Sequence, residues 1–202
     1  AVEFLREKGL AAATKKAGRI AAEGVVKTLL SDDHNAVVVE VNSETDFVAK
    51  NAEFNEFVDA VAAQAMNSNA ADMDAFMQET WAADPSLTVE QALSSKVARI
   101  GEKLSIRRFE KAAEPGVVYT GYIHGNGSIG VIVGIKTDAT ADEIAVVGKD
   151  VAMQVASMNP KFLDETQVDQ AWLESEKEIA KQQLLNEGKK PELLDRIIPG
   201  KV

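Results

Sequence analysis

Ala36-Val37-Val38-Val39-Glu40-Val41-Asn42-Ser43-Glu44-Thr45-Asp46-Phe47-Val48-Ala49-Lys50-Asn51 passes from one structural regime to another. The β-branched run 36–41 reads as a strand. Beyond Asn51, Phe54, Phe57, Val58, Val61 and Ala62 recur at helical spacing. A bulky apolar residue, Phe47, therefore falls at a strand-to-helix junction, among polar residues and beside a carboxylate. Such junctions tend to lie at the surface and to carry function. A purely structural alternative is that Asp46 caps the following helix and Phe47 packs as a hydrophobic staple.

Working outward, residues 24–30 read as a strand preceding 36–41, with Ser31-Asp32-Asp33-His34-Asn35 as the turn between them. A helix is predicted at 52–66, short helices near 72–81 and 88–99, and an alternating strand at Leu104–Phe109. A second hairpin, 117–124 and 129–135, follows, and then a helix over 140–157. The order repeats because the sequence repeats. Gly24-Val25-Val26-Lys27-Thr28 matches Gly116-Val117-Val118-Tyr119-Thr120 at an offset of 92, as Thr45-Asp46 matches Thr137-Asp138. Val61-Ala62-Ala63-Gln64 matches Val151-Ala152-Met153-Gln154 at an offset of 90. The expected fold is α+β, with two similar strand–strand–helix lobes on antiparallel sheets in place of one continuous sheet.

The ends read differently. Residues 1–8 are expected to be the last turns of a helix, with Val2 and Leu5 three apart and Gly9 as its stop. Val168, Trp172, Ile179 and Leu184 mark an amphipathic stretch over 166–186, broken by Asn186–Pro191. Pro191 can open a second helix at its first position. This predicts a projecting C-terminal helical hairpin, 165–198. The expected divisions are 1–23 as a remnant helix and linker, 24–111 as the first lobe, 112–163 as an incomplete second lobe, and 164–202 as the hairpin.

Of 202 residues, 46% are hydrophobic and 27% charged, the balance of a soluble globular chain. The absence of cysteine excludes disulfides and thiolate sites and fits a reducing cytoplasm. No apolar run approaches membrane-spanning length. The net charge of −10 is unevenly placed. Residues 31–95 hold 13 Asp and Glu against one Lys, whereas 96–111 hold six Lys and Arg against two Glu. The acidic bulk argues against phosphate-backbone binding, and the basic block reads as a solvated helix end.

Gly125-Asn126-Gly127-Ser128-Ile129-Gly130 satisfies G-x-G-x-x-G, but Val131–Ile135 after it reads as a strand, not as the helix a dinucleotide site requires. A hairpin turn is the expected reading. No G-x-x-x-x-G-K-[ST] is present, so the chain is expected to bind neither GDP nor GTP, and no cofactor is expected. His34 and His124, the only histidines, offer no metal-ligand spacing. No enzyme nucleophile is in a recognisable setting. Two rivals to a partner-binding role are a plain scaffolding module and a nucleotide-binding enzyme using the Gly125 turn.

Lys15-Lys16-Ala17-Gly18-Arg19, Ala22-Glu23-Gly24, Thr45-Asp46-Phe47-Val48-Ala49-Lys50, Ile100-Gly101-Glu102-Lys103-Leu104-Ser105-Ile106-Arg107-Arg108 and Tyr122-Ile123-His124-Gly125, in that order, resemble the translation elongation factor Ts family. The resemblance runs along nearly the whole chain. It implies a guanine-nucleotide exchange factor, not an enzyme, whose partner is the GTPase elongation factor Tu in the bacterial cytoplasm, with no direct nucleic-acid or membrane role. It implies that Phe47 wedges between helices of the GTPase near its magnesium site and that Asp46 perturbs that ion's surroundings. Thr45, Val48, Ile100, Gly101 and Glu102 would support or share that contact, and His124 would touch another domain. It also implies a three-helix module preceding this chain and a segment after it that completes the second lobe.

Overall fold

A computed structural model describes residues 2–31 and 34–201, with only the backbone described for residues 2–6. Asp32 and Asp33 of the first turn, and the side chains of Val2 and Leu5, lie outside it. The chain divides between Met158 and Asn159 into two compact units.

The first unit contains both sheets. β1 (Glu23–Ser31), β2 (Asn35–Ser43) and β3 (Ser105–Ala112) form an antiparallel sheet with β2 in the centre. β4 (Val117–His124) and β5 (Ile129–Lys136) form a separate antiparallel pair. The α+β reading with two antiparallel sheets therefore holds. β2 is central because alternate valines leave it buried. Val37, Val39 and Val41 join the main core, together with Phe54, Phe57, Val58, Val61, Ala62 and Ala65 of α3 (Ala52–Asn67). The apolar positions of α3 fall at i, i+3 and i+4, so one face closes over the sheet. α4 (Met73–Gln78) and α5 (Val89–Ile100) supply Phe76, Val89, Ala92 and Val97 to the same core.

The second sheet packs on the other face of the first, and glycine sets the spacing. A Cβ added at Gly130 would lie 3.1 Å from Val38 Cγ2 and closer still to Val26 Cγ1. Only a residue without a side chain lets the two sheets approach so closely there. The Gly125–Gly127 turn takes left-handed backbone at all three residues. G-x-G-x-x-G is thus a hairpin connection followed by a sheet contact, as the strand after it implied. α6 (Ala141–Met158) covers the outer face of this pair, burying only Gly148 and Ala152.

Two local expectations are corrected. α1 runs Val2–Lys16, straight through Gly9. Gly9 is buried, and a Cβ there would meet Ser94 O at 3.6 Å, so it marks where α1 crosses α5. The helix formers Leu10–Ala13 continue it, and one glycine costs only about 1 kcal/mol. In the second unit, α7 (Gln170–Asn186) begins after an Asp169 cap. Val168 therefore lies outside the helix, and Ile179 is exposed. Pro191 does open the return, but as a 3-10 turn leading into the one-turn α8 (Leu194–Ile197). Leu184 and Leu194 are its buried side chains with Ala180. Phe162 stands edge-on to Trp172 at 5.2 Å.

Each cation of the basic block is used within the chain. Lys96 and Arg99 pair with Glu53, and Arg107 and Arg108 with Glu40. Lys103 and Lys111 donate to backbone carbonyls.

Candidate functional site

The end of β2 is pinned before the junction begins. Ser43 is fully buried and its hydroxyl donates to Thr45 O at 3.0 Å. Thr45 keeps extended backbone, and its Oγ1 accepts from Val48 N, starting the one-turn helix α2 (Asp46–Ala49). Asn51 separately caps α3, its Oδ1 accepting from Phe54 N at 3.2 Å. The capping role considered for Asp46 thus belongs to Thr45 and Asn51. Threonine and asparagine each place a side-chain acceptor where the helix leaves N–H groups free.

The single turn sorts its two apolar residues. Val48 turns inward and packs against the main core. Phe47 turns outward and is 82% exposed. A staple would be covered by the first turns of α3, so Phe47 is not one. Beside it, Asp46 Oδ2 accepts from Lys50 Nζ at 2.6 Å, one helical turn on. That hydrogen bond, with the attraction of the ammonium, holds the Asp46 carboxyl below its usual range and raises Lys50.

A second turn meets this one. α5 ends at Gly101, whose φ of 87° is left-handed backbone that glycine adopts without strain. Glu102 follows and faces the junction. Its Oε2 accepts from Glu44 N at 3.2 Å and Thr45 N at 3.1 Å, and its Oε1 accepts from Thr45 Oγ1 at 2.7 Å. The brace is reciprocal, since Glu44 Oε1 accepts from Lys103 N. Glu44 also pairs with Arg19 at 3.3 Å. Lys103 Nζ then donates to Ala17 O at 2.7 Å and Arg19 O at 2.8 Å. The Lys103 backbone bond, and after it Arg19, hold Glu44 below the ordinary carboxylate range. Hydrogen bonds to ionised acceptors are roughly twice as strong as neutral ones.

The structure therefore brings Thr45, Asp46, Phe47, Val48, Ile100, Gly101 and Glu102 to one pair of turns, with Val48 and Ile100 set against one core. His124 stands elsewhere, exposed at the end of β4, its Nδ1 2.8 Å from Tyr122 Oη. Among the described hydrogen bonds and ion pairs, none links it to those turns. A cleft of about 490 Å³ lies between the sheets, lined by Gly24, Glu40, Asn42, Arg108 and Gly127–Gly130; it takes in part of the glycine-rich turn, but none of the eight candidate contact residues lines it. Among the described residues no group of three His, Asp or Glu could hold a metal ion, and no helix is long and apolar enough to cross a membrane. Glu44, Lys103 and Arg19 were missed as structural partners of the junction. Glu44 and Lys103 are 59 residues apart, and no local pattern pairs them.

The family model described as Elongation factor TS matches residues 44–202. The chain is 49% identical over 203 residues to elongation factor Ts of Clostridium novyi (strain NT), covering all of this chain and 66% of the relative. It is 48% identical to that of Clostridium tetani and 47% identical to that of Clostridioides difficile, covering 67% and 66% of those proteins. It thus spans about two thirds of the length of the relatives it matches. The chain belongs to the elongation factor Ts family.

Proposed function

We propose that this member of the elongation factor Ts family is a guanine-nucleotide exchange factor for elongation factor Tu. One observation carries the proposal. Phe47 is a large apolar side chain held 82% in solvent by a turn that is itself tightly braced. Exposing an aromatic ring on a rigid support is costly for a free protein and useful for a docked one.

The work of an exchange factor is differential binding. It shifts the partner only by binding the nucleotide-free form better than the GDP form. By linkage, GDP weakens the factor's hold by the same ratio. Phe47 inserts between helices of the GTPase near its magnesium ion, and Asp46, released from Lys50, disturbs the surroundings of that ion. Weakening the ion removes charge that screens the diphosphate, and GDP leaves faster. Ile100 and Gly101 face the same partner domain. His124 touches a second domain, and two linked contacts hold the wedge in place longer than either alone.

Release of labelled GDP from elongation factor Tu, with and without this chain, tests the proposal. Faster release supports it. Unchanged release with the chain bound to the GTPase favours a scaffolding module. GDP bound directly by the chain favours a nucleotide enzyme.

A further inference from the structure

We infer that Glu44 and Lys103 are positioning residues for Phe47: they lock the exit of α1 and the end of α5 to the turn that carries it. The inference rests on the exchange-factor reading and adds to it two residues that the reading does not use.

Three separate chain segments meet at the start of the turn that carries Phe47: residues 17–19 after α1, residues 44–45 after β2, and residues 102–103 after α5. Each lacks regular structure of its own, so each leaves backbone groups that need partners. Glu44 meets one of these needs, accepting from Lys103 N, and its carboxylate also accepts from the Arg19 guanidinium. Lys103 meets two more through its ammonium, which donates to Ala17 O and Arg19 O. Glu102 closes the lattice from the other side through Glu44 N and Thr45 N. Glu44 is only 20% exposed at its side chain, with its carboxylate tied to Lys103 and Arg19. Neither residue has a site of its own to offer a ligand. Their effect is to remove freedom from the turn before a partner arrives, which lowers the entropy lost on docking.

The test is a double-mutant cycle read in two ways on the full chain. In the chain alone, Glu44→Ala takes the acceptor from Lys103 N–H, and exchange of that amide should quicken about tenfold or more while the amides of β2 stay protected. Glu44→Gln keeps an acceptor there and should leave Lys103 N–H largely protected. Against elongation factor Tu, Glu44→Ala and Lys103→Met should each slow stimulated GDP release about threefold in the parent, and hardly at all when Phe47 is already Ala. Equal slowing in both backgrounds would make them direct contacts and overturn the inference. So would an unchanged Lys103 amide in Glu44→Ala. If the parent chain fails to stimulate release, the exchange-factor reading falls and takes the role for Phe47 with it; the amide readout still separates that failure from an absent brace.

Discussion

The two strand–strand–helix motifs share an order but not a junction. In the first, β2 leads through Ser43–Thr45 into α2, exposes Phe47, and only then enters α3. In the second, β5 leads through Thr137–Thr140 directly into α6. There Thr140 and Glu143 satisfy each other, Thr140 N and Oγ1 donating to Glu143 Oε2 and Glu143 N donating to Thr140 Oγ1. That is a self-contained helix start. The first junction instead borrows its partners from residues 17–19 and 102–103. The helices differ in the same sense. α3 buries eight side chains, including Phe54, Phe57 and Val61, whereas α6 buries only Gly148 and Ala152 and leaves Val146 72% exposed. A repeated frame thus carries a rigid, deeply packed half and a lightly packed half, and the braced aromatic is on the rigid one.

The sharpest way to break this comparison is to delete matched apolar mass. Phe54→Ala should cost about 3–5 kcal/mol of stability, because Phe54 is wholly buried and its cavity cannot collapse. Val61 and Val151 occupy the same repeat position, yet Val61 is fully buried and Val151 is 41% exposed. Val61→Ala should cost about 2 kcal/mol and Val151→Ala under about 0.5 kcal/mol. Denaturant unfolding checks all three. Equal losses at the two valines would mean that α6 is as firmly packed as α3.

A smaller effect separates the junctions by pH. Glu44 is held below its ordinary 4.5 by Lys103 N–H and then by Arg19, and Glu143 by the backbone and hydroxyl of Thr140. Both pKa values are depressed on folding, so both contributions are present above 4.5 and are lost as pH falls through the lower folded values. Only Glu44 depends on cations. Added salt should therefore raise its titration midpoint, followed through the Lys103 amide, and leave that of Glu143 nearly fixed. Equal salt shifts would remove the distinction between a borrowed and a self-contained junction.

Most elements were legible because each announces itself locally. The valine alternation of β2 and the 3–4 spacing of α3 need only neighbouring residues. The repeat disclosed two sheets in place of one. What escaped depends on distant partners. Gly9 looks like a stop until α5 is seen beside it. Val168 fits a helical period but lies before the Asp169 cap, and Ile179 fits it but is left exposed. Phe47 could be a staple or a surface residue, because a one-turn helix has no period from which to read its buried face. Glu44 and Lys103 are brought together only by the closing of the sheet between them. The resemblance pointed to the turn, and the geometry supplies what keeps it in place.

The account depends most on Phe47 being outside the fold's own needs. Stimulated release of labelled GDP from elongation factor Tu should be compared for the parent chain and Phe47→Ala, with thermal unfolding measured on both. The predicted result is release slowed about tenfold with an unchanged unfolding temperature. Full stimulation by Phe47→Ala, or a large loss of stability with unchanged release per folded molecule, would contradict it.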